Sequence, residues 1–128
     1  MQSKNNMKVL VVEKKKKNLS PAYYYHNPEH TLYVADNAIT IGKYEHCTTH
    51  EMVLLETAAL WHDTGFMQTY TNHEEAGCEL VKQYLPAYHF SKKDIDTVCG
   101  MIMATKIPQS PNNKLEEIIA DADLEYLG

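Results

Sequence analysis

The sequence predicts an all-α fold, a compact bundle of about five core helices. Helix start signals recur along the chain from residue 27 onward, and apolar residues follow each signal at three- and four-residue spacing. That spacing places the apolar side chains on one face of a helix. Strand signals are nearly absent after residue 20, so the apolar faces are expected to pack helix against helix.

Each predicted helix opens at a residue that can cap its first turn. Asn27 precedes Pro28, which suits the first helical position. Thr48 and Thr71 each stand three residues before a glutamate, which is the spacing of a capping box. Glycine or proline follows several of the predicted ends. The five helices are predicted from Asn27 to about Ile41, from Thr48 to about His62, from Thr71 to about Leu85, from Ser91 to about Thr105, and onward from Ser110.

Residues 21–128 are expected to form a single domain, preceded by a peripheral, lysine-rich segment at residues 1–20. The remainder of the chain is strongly acidic, and the whole chain has a net charge of -5. An acidic body argues against nucleic-acid polymers as partners, because their binding needs clustered cations.

No apolar run is long enough for a membrane span, so no membrane contact is expected. The chain has no arginine, so phosphate must be recognised by lysine, histidine, backbone N–H groups or a metal.

The three cysteines, Cys47, Cys78 and Cys99, are far apart in the sequence and form no CxxC motif. This pattern predicts neither a disulfide framework nor a zinc site built from cysteines. A cytoplasmic location is expected, because thiols stay reduced in that compartment.

Histidine and aspartate residues that could bind a metal stand near predicted helix ends. His30 lies in the first turn of the first helix, and the adjacent pair His62 and Asp63 ends the second. Asp121 and Asp123 are two apart in the last helix and point to nearly opposite sides, so one of them is expected at the site. Imidazole and carboxylate donors suit a mid-series divalent ion, and four such ligands leave open positions for water and a substrate oxygen.

Three segments of the chain, residues 25–30, 58–65 and 121–128, resemble the motifs of the HD superfamily of metal-dependent phosphohydrolases. That family is named for its His-Asp doublet and has a bundle of about five core helices. The resemblance implies a divalent metal, with Mn, Co, Ni, Fe, Zn and Mg left open. The implied ligands are His30, His62, Asp63 and Asp123, with Asp121 as the alternative to Asp123 and His26 as a further candidate.

The resemblance also implies a reaction, the hydrolysis of a phosphate ester or anhydride in a small phosphorylated substrate, with nucleotides among the candidates. Asp63 would orient or activate the attacking water, and Glu74 matches an acidic position that many relatives place beside the site. Lys106, in the loop before the last predicted helix, is by default a surface residue, and it is the first candidate for a phosphate contact. Relatives usually continue past the last motif, so truncation of the domain at Gly128 is left open, as is a homo-oligomer.

Three other functions are left open. The same fold can hold two irons and carry out oxygen chemistry, which needs extra ligands such as His26 and His73. A metal-bearing or nucleotide-binding module without turnover is the second alternative, and a structural bundle without metal is the third. Metal content separates the hydrolase, expected to hold about one ion, from the oxygenase with about two irons and from the structural bundle with none. Turnover separates the hydrolase from the non-catalytic module.

Overall fold

The computed structural model describes residues 28–64, 72–106 and 109–125. Every regular element within these ranges is helical, which confirms the predicted all-α class. None of the described helices is both long enough and apolar enough to cross a membrane. The predicted peripheral segment and His26 lie outside the described residues. The helices are α1 (Pro28–Tyr44), α2 (Thr49–Trp61), α3 (His73–Tyr84) with a 3₁₀ turn after it (Leu85–Tyr88), α4 (Lys92–Ala104) and α5 (Lys114–Glu125).

Helix α2 is the centre of the bundle. All of its side chains from Leu54 to Trp61 are buried, as expected of a helix with neighbours on every side. It packs against α1, α4 and α5. Its start is fixed by the predicted capping box, in which Thr48 accepts from the Glu51 N–H and the Glu51 carboxylate accepts from the Thr48 N–H.

The predicted end of α1 near Ile41, where Gly42 was expected to stop the helix, is wrong, because the helix continues through this glycine to Tyr44. A Cβ at position 42 would lie 2.7 Å from the Met52 sulfur and 2.9 Å from a methyl of Leu55. Both of those side chains belong to α2. The glycine therefore permits a close approach of α1 to α2, and it does not stop the helix.

Two predicted helix starts also need correction. Helix α5 begins at Lys114 and not at Ser110, because the Asn113 side chain accepts from the Glu116 N–H while the Glu116 carboxylate accepts from Asn113 Nδ2. These reciprocal bonds cap the first turn. Helix α3 has Asn72 as its N-cap in the left-handed region, without a side-chain cap bond. Thr71, the predicted cap of α3, lies outside the described residues.

Two side-chain contacts define how the helices run. His50, near the start of α2, lies 2.9 Å from Asp94 in the first turn of α4, so these two helices start at the same end of the bundle. Just beyond the other end of α4, Lys106 donates to Glu75 in the first turn of α3 at 2.7 Å. The start of α3 therefore lies at the end of the bundle where α2 and α4 finish.

Candidate metal centre

Three side chains from three helices converge at the end of the bundle where α2 finishes. They are His30 in the first turn of α1, His62 just after α2 and Asp123 near the end of α5. Each offers one donor atom, and these atoms all lie within 4.8 Å of one another. Asp123 Oδ1 lies 3.2 Å from His62 Nε2 and 3.6 Å from His30 Nε2. This is the single group of three such donors among the described residues.

The position of His62 is set by the end of α2. His62 is the C-cap residue with helical dihedral angles, and its Nδ1 lies 2.6 Å from the carbonyl oxygen of Ala59. A proton on Nδ1 therefore donates to this carbonyl and directs Nε2 away from the helix. His62 Nε2 is buried and makes no well-aligned hydrogen bond within the described part of the chain. A buried nitrogen held beside a second imidazole and a carboxylate fits a metal ligand.

Asp63 lies beside these three donors but does not belong to the group of converging atoms. Its side chain is 1% exposed. Thr31 Oγ1 donates to Asp63 Oδ1 at 3.3 Å, and Asp63 Oδ2 lies 3.9 Å from His30 Nε2. The carboxylate is therefore held between two consecutive residues of α1, with one oxygen facing each. Its role as a ligand stays a prediction.

The charges at the site shift two pKa values in opposite directions. Burial lowers the pKa of His62, but the carboxylates of Asp63 and Asp123 outweigh it and raise that pKa to about 9. Burial raises the pKa of the Asp123 carboxyl, but the imidazoles of His30 and His62 outweigh it and hold that pKa well below its usual range. Without a metal, a proton on His62 offsets the negative charge of the two aspartates.

We expect the affinity for a divalent metal to rise with pH between about 7 and 9. A metal must displace the proton on His62, whose pKa is about 9, whereas Asp123 is already ionised. The association constant should increase about tenfold per pH unit and level off above pH 9. Calorimetric titration with Mn²⁺ at pH 7.5 in buffers of different ionisation enthalpy should show release of about one proton per metal. A pH-independent association constant would contradict this assignment.

The other predicted site residues have different surroundings. Asp121 is exposed on α5, on a different side from Asp123. Glu74 is buried in the first turn of α3, and its Oε2 lies 2.8 Å from His73 Nε2. Lys106 pairs with Glu75. The structure thus places Glu74 and Lys106 at the bundle end that holds the three donors, but outside the converging group.

Thr31 was not among the residues predicted from the sequence. It is fully buried, and its hydroxyl donates from α1 to Asp63 Oδ1. Its position directly after the predicted ligand His30 is the signal that could have identified it, because a hydroxyl next to a ligand can hold a neighbouring carboxylate.

The fold and this centre define an all-helical protein with a two-histidine, one-carboxylate site suited to a divalent metal. The sequence model of the HD domain matches residues 28–125. The chain therefore belongs to the HD-domain family.

Comparison with solved structures supports the fold. The chain is similar to a protein described as a predicted HD superfamily hydrolase from an uncultured Thermotogales bacterium, with a TM-score of 0.73 and 24% sequence identity. The match covers 89% of this chain and 64% of that one, so the chain spans less than two-thirds of the length of that protein. A search of curated proteins finds no match to the chain.

Proposed function

We propose that this protein hydrolyses a phosphate ester or anhydride of a small phosphorylated substrate, with nucleotides as the first candidates. The observation that carries the proposal is the convergence of His30, His62 and Asp123 at one end of the bundle. Membership of the HD-domain family supports the same chemistry.

The three converging side chains would hold a divalent ion through two imidazole nitrogens and one carboxylate oxygen. Such an ion supplies Lewis acidity, which polarises a phosphoryl oxygen and makes a coordinated water more acidic. With Asp63 as the predicted fourth ligand, the set would still leave coordination positions open for that water and for the substrate. This matters in a chain without arginine, because no guanidinium can offset the charge on the phosphoryl oxygens.

Asp63 is the residue that we propose to act on the attacking water. Its Oδ1 is occupied by the Thr31 hydroxyl, and its Oδ2 lies on the side of His30. In that orientation Oδ2 would accept a proton as the water oxygen forms its bond to phosphorus. The bond from phosphorus to the leaving oxygen then breaks, and the leaving oxygen takes up a proton.

Two groups proposed to contact the substrate are Glu74, at the start of α3, and Lys106, just beyond the end of α4. Glu74 stays our candidate for general acid or base at the leaving oxygen, and its pairing with His73 links it to a second proton carrier. Lys106 stays the candidate phosphate contact. Its side chain is half-exposed and its ammonium group pairs with Glu75 at 2.7 Å, so a substrate phosphate would compete with that carboxylate.

The hydrolase is favoured over the di-iron oxygenase by the ligands that the described helices bring together. A second metal needs further donors, and His73, one of the two candidates, pairs with Glu74 outside the converging group. The non-catalytic module would use the same three ligands, so only turnover separates it from the hydrolase.

The test is a phosphate-release screen with protein purified without a polyhistidine tag. Metal-free protein is reloaded separately with Mn²⁺, Co²⁺, Ni²⁺, Zn²⁺, Fe²⁺ or Mg²⁺ and mixed with nucleoside mono-, di- and triphosphates. Bis-(p-nitrophenyl) phosphate and p-nitrophenyl phosphate separate diesterase from monoesterase activity. We expect release of phosphate or nitrophenol that requires the metal and falls by about 100-fold or more in Asp63→Asn, the loss expected on removal of a general base.

The other outcomes identify the alternatives. Nucleotide binding by the metal-loaded protein without release of product would indicate the non-catalytic module. About two irons per chain, with a coloured protein, would indicate the oxygenase. Either result would contradict the proposed hydrolase.

A further inference from the structure

We propose that Thr31 is a positioning residue that holds the Asp63 carboxylate in the orientation needed at the metal centre. The inference rests on the proposed metal site and makes its reaction more specific, but it does not depend on which substrate is hydrolysed. Thr31 would contact neither the metal nor the substrate, and it would act through Asp63, the predicted fourth ligand of the metal, whose Oδ2 lies 3.9 Å from His30 Nε2.

The first step of the argument is the burial of both partners. Thr31 is 0% exposed and Asp63 is 1% exposed. A buried carboxylate needs donors close to it, because it has lost the hydrogen bonds that water would supply. Thr31 Oγ1 lies 3.3 Å from Asp63 Oδ1 and supplies such a donor from a helix 32 positions away in the sequence.

The second step is the arrangement of the two carboxylate oxygens. Oδ1 faces the Thr31 hydroxyl, whereas Oδ2 lies 3.9 Å from His30 Nε2, one of the three converging donor atoms. Because the hydroxyl occupies Oδ1, the carboxylate is held against rotation, and Oδ2 stays on the side of the metal centre. A carboxylate that is free to rotate would lose this orientation in part of the population.

The third step is the contrast with other buried threonines. Thr57 and Thr105 donate to carbonyl oxygens three or four residues earlier in the chain, which is a local bond within or at the end of a helix. The hydroxyl of Thr31 reaches from α1 to Asp63, the residue that follows His62. Thr31 therefore has a side-chain partner at the site, and Thr57 provides a matched control on α2.

The experiment measures Mn²⁺ affinity by calorimetry for the wild-type protein and for variants at the two positions. Thr31→Val replaces the hydroxyl by a methyl group of similar size, and we expect Mn²⁺ to bind about 10–100-fold more weakly, the usual cost of losing a group that orients a metal-site side chain. Thr31→Ser keeps the hydroxyl and should bind within about threefold of wild type. Thr57→Val should also keep wild-type affinity, although its stability is expected to fall.

Thermal unfolding of the metal-free proteins separates positioning from a purely structural role. If Thr31→Val lowers the melting temperature as Thr57→Val does but binds Mn²⁺ with wild-type affinity, the proposal is wrong. Thr31→Ala also removes the hydroxyl and adds no new methyl group. It is used in place of Thr31→Val if the valine variant does not fold. The readout is independent of turnover. A wild-type protein that binds Mn²⁺ but releases no phosphate would therefore contradict the hydrolase and leave the test of Thr31 intact.

Discussion

Replacing His62 by alanine is expected to abolish metal binding and metal-dependent turnover together. His62 supplies one of three converging donor atoms, and its Nε2 lies 3.2 Å from Asp123 Oδ1. Loss of a group that only orients a ligand costs about 10–100-fold in affinity, so loss of the ligand itself should cost more than about 100-fold. Elemental mass spectrometry on tag-free protein should find about one metal ion per wild-type chain and none above background in His62→Ala.

A matched control is available at the opposite end of the bundle. His50 is on α2 and lies 2.9 Å from Asp94, but its side chain is 64% exposed. Exposed ion pairs contribute little to stability, so His50→Ala should keep both the metal content and the activity of the wild-type protein. His62→Gln should lose metal binding and activity as His62→Ala does, although its larger side chain fills more of the buried space. Wild-type metal content in both His62 variants would show that the converging residues are not the metal ligands.

Much of this fold can be predicted from the sequence because its helix signals are local. The capping box at Thr48 and Glu51 is present in the structure as predicted, and Ser91 accepts from the Asp94 N–H at the start of α4. Such signals depend on residues three apart, which remain neighbours whatever the rest of the chain does.

The errors arise where tertiary packing overrides a local signal. Gly42 has the character of a helix terminator, but at that point of α1 two side chains of α2 come so close that a Cβ would force them to shift. Pro111 suits a first helical position, but Asn113 offers a reciprocal cap with Glu116 two residues later. Neither competing effect can be weighed from the sequence pattern alone.

The candidate site shows the same division between local and long-range information. The sequence places His30 and the His62–Asp63 pair near helix ends, but it does not show that α1 and α2 bring these ends together. The contact between Thr31 and Asp63 joins residues 32 apart, and no spacing rule connects them. The choice between Asp121 and Asp123 depends on the rotation of α5 about its axis, which is set by packing.

Replacing Asp123 by asparagine is expected to weaken Mn²⁺ binding by at least about tenfold and to reduce phosphate release by a similar or larger factor. The amide keeps the shape of the side chain but removes the negative charge that the two imidazoles and a divalent ion would share. The His62 pKa should also fall from about 9 in the metal-free variant, since Asp123 is one of the two carboxylates that raise it. Nuclear magnetic resonance of the imidazole nitrogens against pH measures that change.

Asp121→Asn is the control that separates ligation from net charge. Asp121 lies two residues earlier on the same helix, and the substitution removes the same charge, but its side chain is exposed. If the two aspartates only attract cations through their negative charge, Mn²⁺ binding would weaken in both variants. That weakening would become smaller as salt is added, because salt screens the attraction. Direct ligation by Asp123 would instead weaken it in Asp123→Asn alone, at every salt concentration. A larger loss in Asp121→Asn than in Asp123→Asn would transfer the ligand role to Asp121, and it would mean that α5 is rotated relative to the arrangement described for the metal centre.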